Sequence, residues 1–159
     1  MDLTSKYIEM CVKAEELQSE WKPAVGDYVF WDSKVEGPTV ALVYNVDEKP
    51  APVLLRAITL KDRIYHIVGM DDIRFIPRED QLQEMIPDGL AWKHVLFDEW
   101  IRKQEGNWLT GDVKEFESFE QLWLAFVMWM KYRKVWDNEQ KEWKVFEDYR
   151  IIESDVKGE

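Results

Sequence analysis

Between residues 4 and 21, apolar side chains recur at three- and four-residue steps: Tyr7, Ile8, Cys11, Ala14, Leu17 and Trp21. This spacing lays them along one stripe and predicts a helix over 4–20, with Thr4 as its N-cap. Pro23 stops the helix, Gly26–Asp27 turns the chain, and the apolar period then drops to two. "YVFW" at 28–31 reads as a strand. After a loop at 33–38, "TVALVYNV" at 39–46 alternates Val40, Leu42, Tyr44 and Val46 with Thr39, Ala41, Val43 and Asn45. The second set is barely polar, which points to a strand covered on both sides. "DEKPAP" at 47–52 is a loop, because its two prolines do not fit a central strand. "VLLRAITL" at 53–60 and "RIYHIV" at 63–68 are joined by Lys61–Asp62 alone and predict a hairpin. "DIRFI" at 72–76 is a fifth strand. Five short strands with short connections predict an antiparallel meander, and curling into a small barrel would remove its exposed edges.

The period returns to that of a helix at Pro77. "PREDQLQEMI" places proline at the first helical position and acids in the first turn, with Leu82, Met85 and Ile86 on its apolar side. Pro87 closes it. Asp88 is the predicted cap of a helix over 89–104 that buries Trp92, Leu96 and Trp100, with Phe97 and Ile101 beside them. A glycine-containing loop at 105–117 leads to Ser118 and Gln121, which have capping-box spacing. The following helix, 119–133, is apolar on all sides, so it lies either at the centre of a core or in an interface. In "KVWDNEQKEWKVFED" at 134–148, Trp136 and Trp143 flank a turn-like stretch, and a hairpin is favoured over continued helix. Residues after Arg150 are expected to fray. The predicted class is α+β: an N-terminal helix over 1–20, a five-stranded antiparallel curled sheet or small barrel over 21–77, and a helical part over 78–150 with a terminal hairpin. All of this fits one domain over 1–159.

Composition sharpens the picture. Seven of the nine tryptophans lie from Trp92 onward, which assigns much of the core to the second half. The net charge is −11, and it is spread: residues 1–97 hold 17 acids and 11 bases, and residues 98–159 hold 15 acids and 10 bases. Ordinary nucleic-acid binding needs a basic stripe to displace counterions from phosphate, and the nearest candidate is one short cluster at a helix end, "KYRK" at 131–134. Nucleic acid and anionic membranes are therefore disfavoured as partners. The longest apolar run, 122–130, is nine residues, against about 20 for a spanning helix. No signal-peptide pattern opens the chain. A single cysteine, Cys11, excludes an internal disulfide and fits a reducing compartment, so a soluble cytoplasmic protein is expected. Cys11 lies on the apolar stripe with no adjacent cation to favour a thiolate, and reads as a buried structural thiol.

Two stretches, "IPREDQLQEMI" at 76–86 and "SFEQLWLAFVMWMKYRKVWDNEQKEW" at 118–143, together resemble a group of small uncharacterised proteins encoded in phages and prophages of Gram-positive bacteria. The group opens its β part with a W-x-P-x-x-G-D segment, matched here by Trp21, Pro23, Gly26 and Asp27. Its R-x-D-Q-L-Q-E-M helix is matched by Arg78, Asp80, Gln81, Leu82, Gln83, Glu84 and Met85. The resemblance spans most of 21–145 and departs at Trp129–Arg133, where the group's helix end would be more charged. It implies a phage or prophage setting and a host-cell cytoplasmic location, and it carries no catalytic residues.

Candidate chemistry is sparse. His66 sits in a strand pattern with Ile64 and Val68 on its face and reads as a partly buried, hydrogen-bonded histidine. His94 lies four residues before Asp98, a spacing that places both on one helix face and suits ordinary surface pairing. Carboxylate pairs occur at Asp71–Asp72, Glu79–Asp80 and Asp98–Glu99, as 32 acids make unsurprising. Neither a phosphate-cradling loop nor a nucleophile elbow is present. The residues thus assign no catalytic, cofactor-binding or metal-ligating position and no cofactor. Three readings remain. The first is a non-catalytic protein-interaction module for a host or phage protein, with homo-oligomerisation left open. The second is an acidic decoy that mimics DNA to occupy a basic host protein. The third is an enzyme with an unrecognised acid/His site.

Overall fold

The N-terminal apolar stripe folds as a helix in two pieces. A computed structural model describes residues 1–33, 37–47, 54–61, 63–87, 89–104 and 113–146. In it, α1 spans Ser5–Val12 and α2 spans Glu15–Glu20. Thr4 caps α1 as expected, its side chain accepting from the Tyr7 N–H. The single predicted helix breaks at buried Ala14, whose backbone leaves the helical region at φ −82°, ψ 71°. At the break the Cys11 carbonyl accepts from the Ala14 N–H at 3.1 Å and from the Gln18 side-chain amide at 2.9 Å. The same amide donates to the Phe75 carbonyl at 3.0 Å, and its oxygen accepts from the Phe75 N–H at 2.7 Å. Gln18 thereby takes the place of a neighbouring strand along one sheet edge.

The sheet comprises β1 (Tyr28–Ser33), β2 (Gly37–Asp47), β3 (Leu54–Thr59), β4 (Tyr65–Gly69) and β5 (Ile73–Ile76). Its order is β4-β3-β2-β1-β5, and every pairing is antiparallel. The first four strands form the predicted meander. The fifth does not continue it: a 3₁₀ turn at Met70–Asp72 carries the chain across to β1. The result is a curled half-barrel. Trp31 of β1 meets His66 of β4 edge-on at 4.7 Å although two strands separate them in the sheet. The inside of the curl buries Val29, Ala41, Val43, Ala57, Val68 and Ile73. The small residues of β2 thus face inward because the curl leaves little room there.

The larger core lies between the sheet and the helices. It includes Tyr7, Met10, Ile76, Leu82, Phe97, Trp100, Trp123 and Phe126. Pro77 precedes the N-cap Arg78 of α3 (Glu79–Glu84), two places before the first helical position it was expected to fill, and its carbonyl accepts from the buried Tyr7 hydroxyl at 2.7 Å. On α4 (Leu90–Gln104), Phe97 and Trp100 are buried but Trp92 is 56% exposed, contrary to its predicted burial. A helix advances about 100° per residue, so Trp92 points about 140° away from Phe97. α5 (Phe119–Tyr132) is the central helix, with Trp123 through Met128 all buried, and it ends at Arg133 in the left-handed conformation, φ 55°. The hairpin follows as β6 (Lys134–Asp137) and β7 (Glu142–Val145), with Trp136 directly opposite Trp143. The Asp137 carboxylate accepts from the Glu139 and Gln140 N–H groups in its turn, and the Trp143 indole donates to the Met10 carbonyl at 2.9 Å. No helix among the described residues is long and apolar enough to cross a membrane. The predicted cap Asp88, the prolines of the 47–52 loop, Trp108 and the chain beyond 146 lie outside the described residues.

The capping-box spacing at the start of α5 is met only in half. Ser118 accepts from the Gln121 N–H at 3.1 Å, but the Gln121 oxygen accepts from Glu117 rather than Ser118. The buried Gln121 amide reaches the Asp2 carboxylate at 2.8 Å, and Asp2 also accepts from the Ser118 hydroxyl and the Thr4 N–H. Burial opposes the charge on Asp2, yet the donors Ser118, Thr4 and Gln121 outweigh it and hold its carboxyl below the ordinary range. A depressed folded pKa stabilises the fold fully above the unfolded value, about pH 4, and that stability is lost as pH falls through the folded value. Urea unfolding from pH 7 down through that window is expected to show a falling midpoint. Asp2→Asn should be less stable at pH 7 by about 1–3 kcal/mol and should fall less steeply in acid. Parallel slopes for the two proteins would show that Asp2 contributes nothing to the acid dependence.

Candidate functional site

Residues from the two resembling segments meet in space. Asp27, buried after the Gly26 turn, accepts from the Trp21 indole at 2.9 Å and the Ala24 N–H at 2.8 Å. Its other oxygen accepts from the Gln81 amide at 2.6 Å, while the Gln81 oxygen accepts from the Arg78 N–H at 2.9 Å. The Arg78 guanidinium donates to the Gly26 carbonyl and pairs with Asp80. Trp21 also stacks on Phe75, ring centroids 5.1 Å apart, and packs against both buried clusters. A cleft of about 300 Å³ opens beside this node between Trp21, Asp27, Gln81 and Tyr132. The bonds from Trp21 and Ala24 fix the turn around Asp27 and the bond from Gln81 ties that turn to α3, so this is a structural joint.

The candidate chemical groups do not converge. His66 lies against Trp31 inside the curl, whereas His94 sits edge-on to Trp123 at 5.7 Å on the helical side. The Asp98 carboxylate pairs with Arg102 at 2.7 Å. Asp71 and Asp72 lie in the 3₁₀ turn, and Glu79 accepts from Gln83. No three His, Cys, Asp or Glu side chains among the described residues are placed to hold a metal ion. Cys11 is fully buried, and that burial pushes its thiol far up, which suppresses the thiolate. The "KYRK" cluster is also occupied: Lys131 pairs with Glu20, Lys134 pairs with Glu16, and Arg133 lies over the Trp129 ring.

Among the described residues, the structure leaves part of an apolar surface exposed. On one sheet face, Tyr28 and Phe30 of β1 continue in register through Val40 and Leu42 of β2, Ile58 of β3 and Tyr65 of β4. α1 covers the β1 end of this face, and its cover stops at a groove of about 790 Å³ lined by Ile8, Val12, Phe30, Val40 and Leu60. Beyond the groove, among the described residues, Leu42 and Ile58 are half-buried and Tyr44, Tyr65 and Ile67 are exposed. A bulge between Val43 and Asn45 inserts Tyr44, which meets Tyr65 edge-to-face at 5.4 Å. Tyr65 and Ile67 are 67% and 66% exposed. The strand alternation legible in the sequence already separated this set from the buried one. Which set faced inward was not legible, because both are apolar.

Comparison of the chain with family models, with curated proteins and with solved structures finds no match.

Proposed function

We propose that this chain is a non-catalytic protein-interaction module, of the phage- or prophage-encoded kind that its two long segments resemble. The observation that carries this reading is the apolar face running from the α1 groove across β2 to β4, on which Tyr44, Leu60, Tyr65 and Ile67 are exposed among the described residues. Exposed aromatic and aliphatic side chains gathered on one rigid face are the mark of a protein-binding surface. Support for a charge-mimicking decoy is weaker, since Glu9, Glu16, Glu20, Asp80, Asp98 and Asp137 each hold a lysine or arginine. Such pairing dilutes the phosphate-like array that a decoy requires.

The test is affinity capture from a lysate of prophage-bearing or infected cells, run with the wild-type chain beside Tyr44→Ser/Leu60→Ser. Both changes lie on the apolar face and away from the sheet edge. One protein enriched by the wild type, lost with the variant and bound again from purified components is the expected result. No enrichment, or equal enrichment by both chains, sinks the proposal.

A further inference from the structure

We propose that the cleft beside Trp21 binds a quaternary ammonium group, held by aromatic walls and a surplus of negative charge. The proposal does not rest on the apolar sheet face and goes beyond the interaction-module reading.

The cleft lies where the end of α2, the turn before β1, α3 and the end of α5 meet, and its volume is about 300 Å³. That is the lower end of the range for small-ligand sites, with room for one compact group. Its apolar walls are Trp21, Phe75, Tyr132 and Met85. The Trp21 and Phe75 rings stack with planes 4° from parallel, and the Trp21 indole is fixed by its hydrogen bond to Asp27. The walls are therefore set before any ligand arrives. Aromatic rings attract cations through the negative face of their π systems. Tyr132 already does so, since the Lys131 ammonium lies 5.1 Å from its ring centroid without lining the cleft.

Charge points the same way. Glu20, Asp27 and Glu84 line the cleft against a single lysine, the exposed Lys22. Glu20 is neutralised by Lys131 at 2.5 Å. Asp27 is buried, and its three donors are neutral groups: the Trp21 indole, the Ala24 N–H and the Gln81 amide. Arg78, which donates to the neighbouring Gly26 carbonyl, is paired with Asp80. Glu84 is exposed and holds no lysine or arginine among the described residues. Asp27 and Glu84 thus exceed Lys22 by one negative charge.

Hydrogen bonding selects the kind of cation. A primary ammonium or a guanidinium brings several N–H donors, and each needs an acceptor once it leaves water. Asp27 and Glu20 already accept from other groups, which leaves only the exposed Glu84 for them. A quaternary ammonium donates no hydrogen bond and presents methyl groups that pack on rings and on the methionine.

A magnetic resonance titration of the full chain with choline, read at the assigned Trp21 indole N–H, tests this, with sodium chloride at equal concentrations as the baseline. A saturable shift is expected. The uncharged isostere, with carbon in place of the choline nitrogen, should bind about tenfold more weakly. Butylammonium should also bind more weakly than choline. Tyr132→Leu removes one wall and should weaken choline about tenfold. Glu84→Gln, at an exposed position, should weaken it about threefold with an unchanged circular dichroism spectrum. No saturable shift up to about 50 mM choline overturns the proposal. So does equal binding of the uncharged isostere, tighter binding of butylammonium, or wild-type affinity in both variants. None of these outcomes bears on the lysate capture, because Tyr44 and Leu60 do not line this cleft.

Discussion

Trp123→Ala is expected to cost about 3–5 kcal/mol of folding stability, a large share of the roughly 5–15 kcal/mol that holds a typical domain. Trp123 is buried at the contact of α4 with α5. Its ring stacks on Phe97 with centroids 4.1 Å apart and planes 6° from parallel, and it meets Phe126 edge-on at 5.6 Å. Phe97 and Phe126 also touch one another and Trp100, so removing the indole empties the middle of a connected aromatic cluster. Rigid rings on two helices cannot collapse into such a hole, and the cavity cost adds to the lost burial. Urea unfolding followed by far-UV circular dichroism measures the change. Trp123→Phe keeps a ring in contact with Phe97 and should cost less, about 1–3 kcal/mol. A loss below about 0.5 kcal/mol for the alanine variant would mean that this cluster does not support the fold.

Asp27→Ala should be nearly as damaging, at about 3–5 kcal/mol, through a different mechanism. Three donors lose their acceptor together: the Trp21 indole, the Ala24 N–H and the Gln81 amide. A buried donor left without a partner costs about 1–3 kcal/mol, and the three share one site, so the sum is less than three separate losses. Asp27→Asn keeps one acceptor oxygen but points an NH₂ group at donors, so it should fall between wild type and alanine. Because Trp21 stands at this joint, the variant should also show altered Trp21 fluorescence and faster hydrogen exchange at Ala24. Asp27→Ala with wild-type stability would show that the Asp27–Gln81 bond does not hold α3 to the β unit, leaving that to the Arg78–Gly26 bond and apolar contact.

These two residues also mark where reading the chain succeeds and where it stops. The central place of α5 follows from its all-round apolar pattern, and the hairpin after it follows from two tryptophans flanking a polar turn. The strand segments follow from their period-two runs. Asp27 was legible only as half of a Gly-Asp turn. Its partner Gln81 lies 54 residues away, and no local pattern encodes that hydrogen bond. Trp92 was misplaced because steps of four residues drift around a helix, so a row of apolar positions cannot all face one neighbour. The break at Ala14 was hidden because both halves keep their apolar stripe, and only the demand of β5 for Gln18 shows why the helix divides.

By itself, then, the sequence determined the α+β class, the strand and helix segments and the absence of a basic stripe. These depend on period, turn residues and charge, which are local properties of a chain. The crossing of β5 to β1, the inward turn of the small β2 face, the joint at Asp27 and the open apolar face were decided only in the tertiary structure. Each depends on contacts between segments distant in sequence, which no local pattern encodes: the Asp27 joint on a hydrogen bond across 54 residues, the sheet faces on which of two similar apolar surfaces is covered.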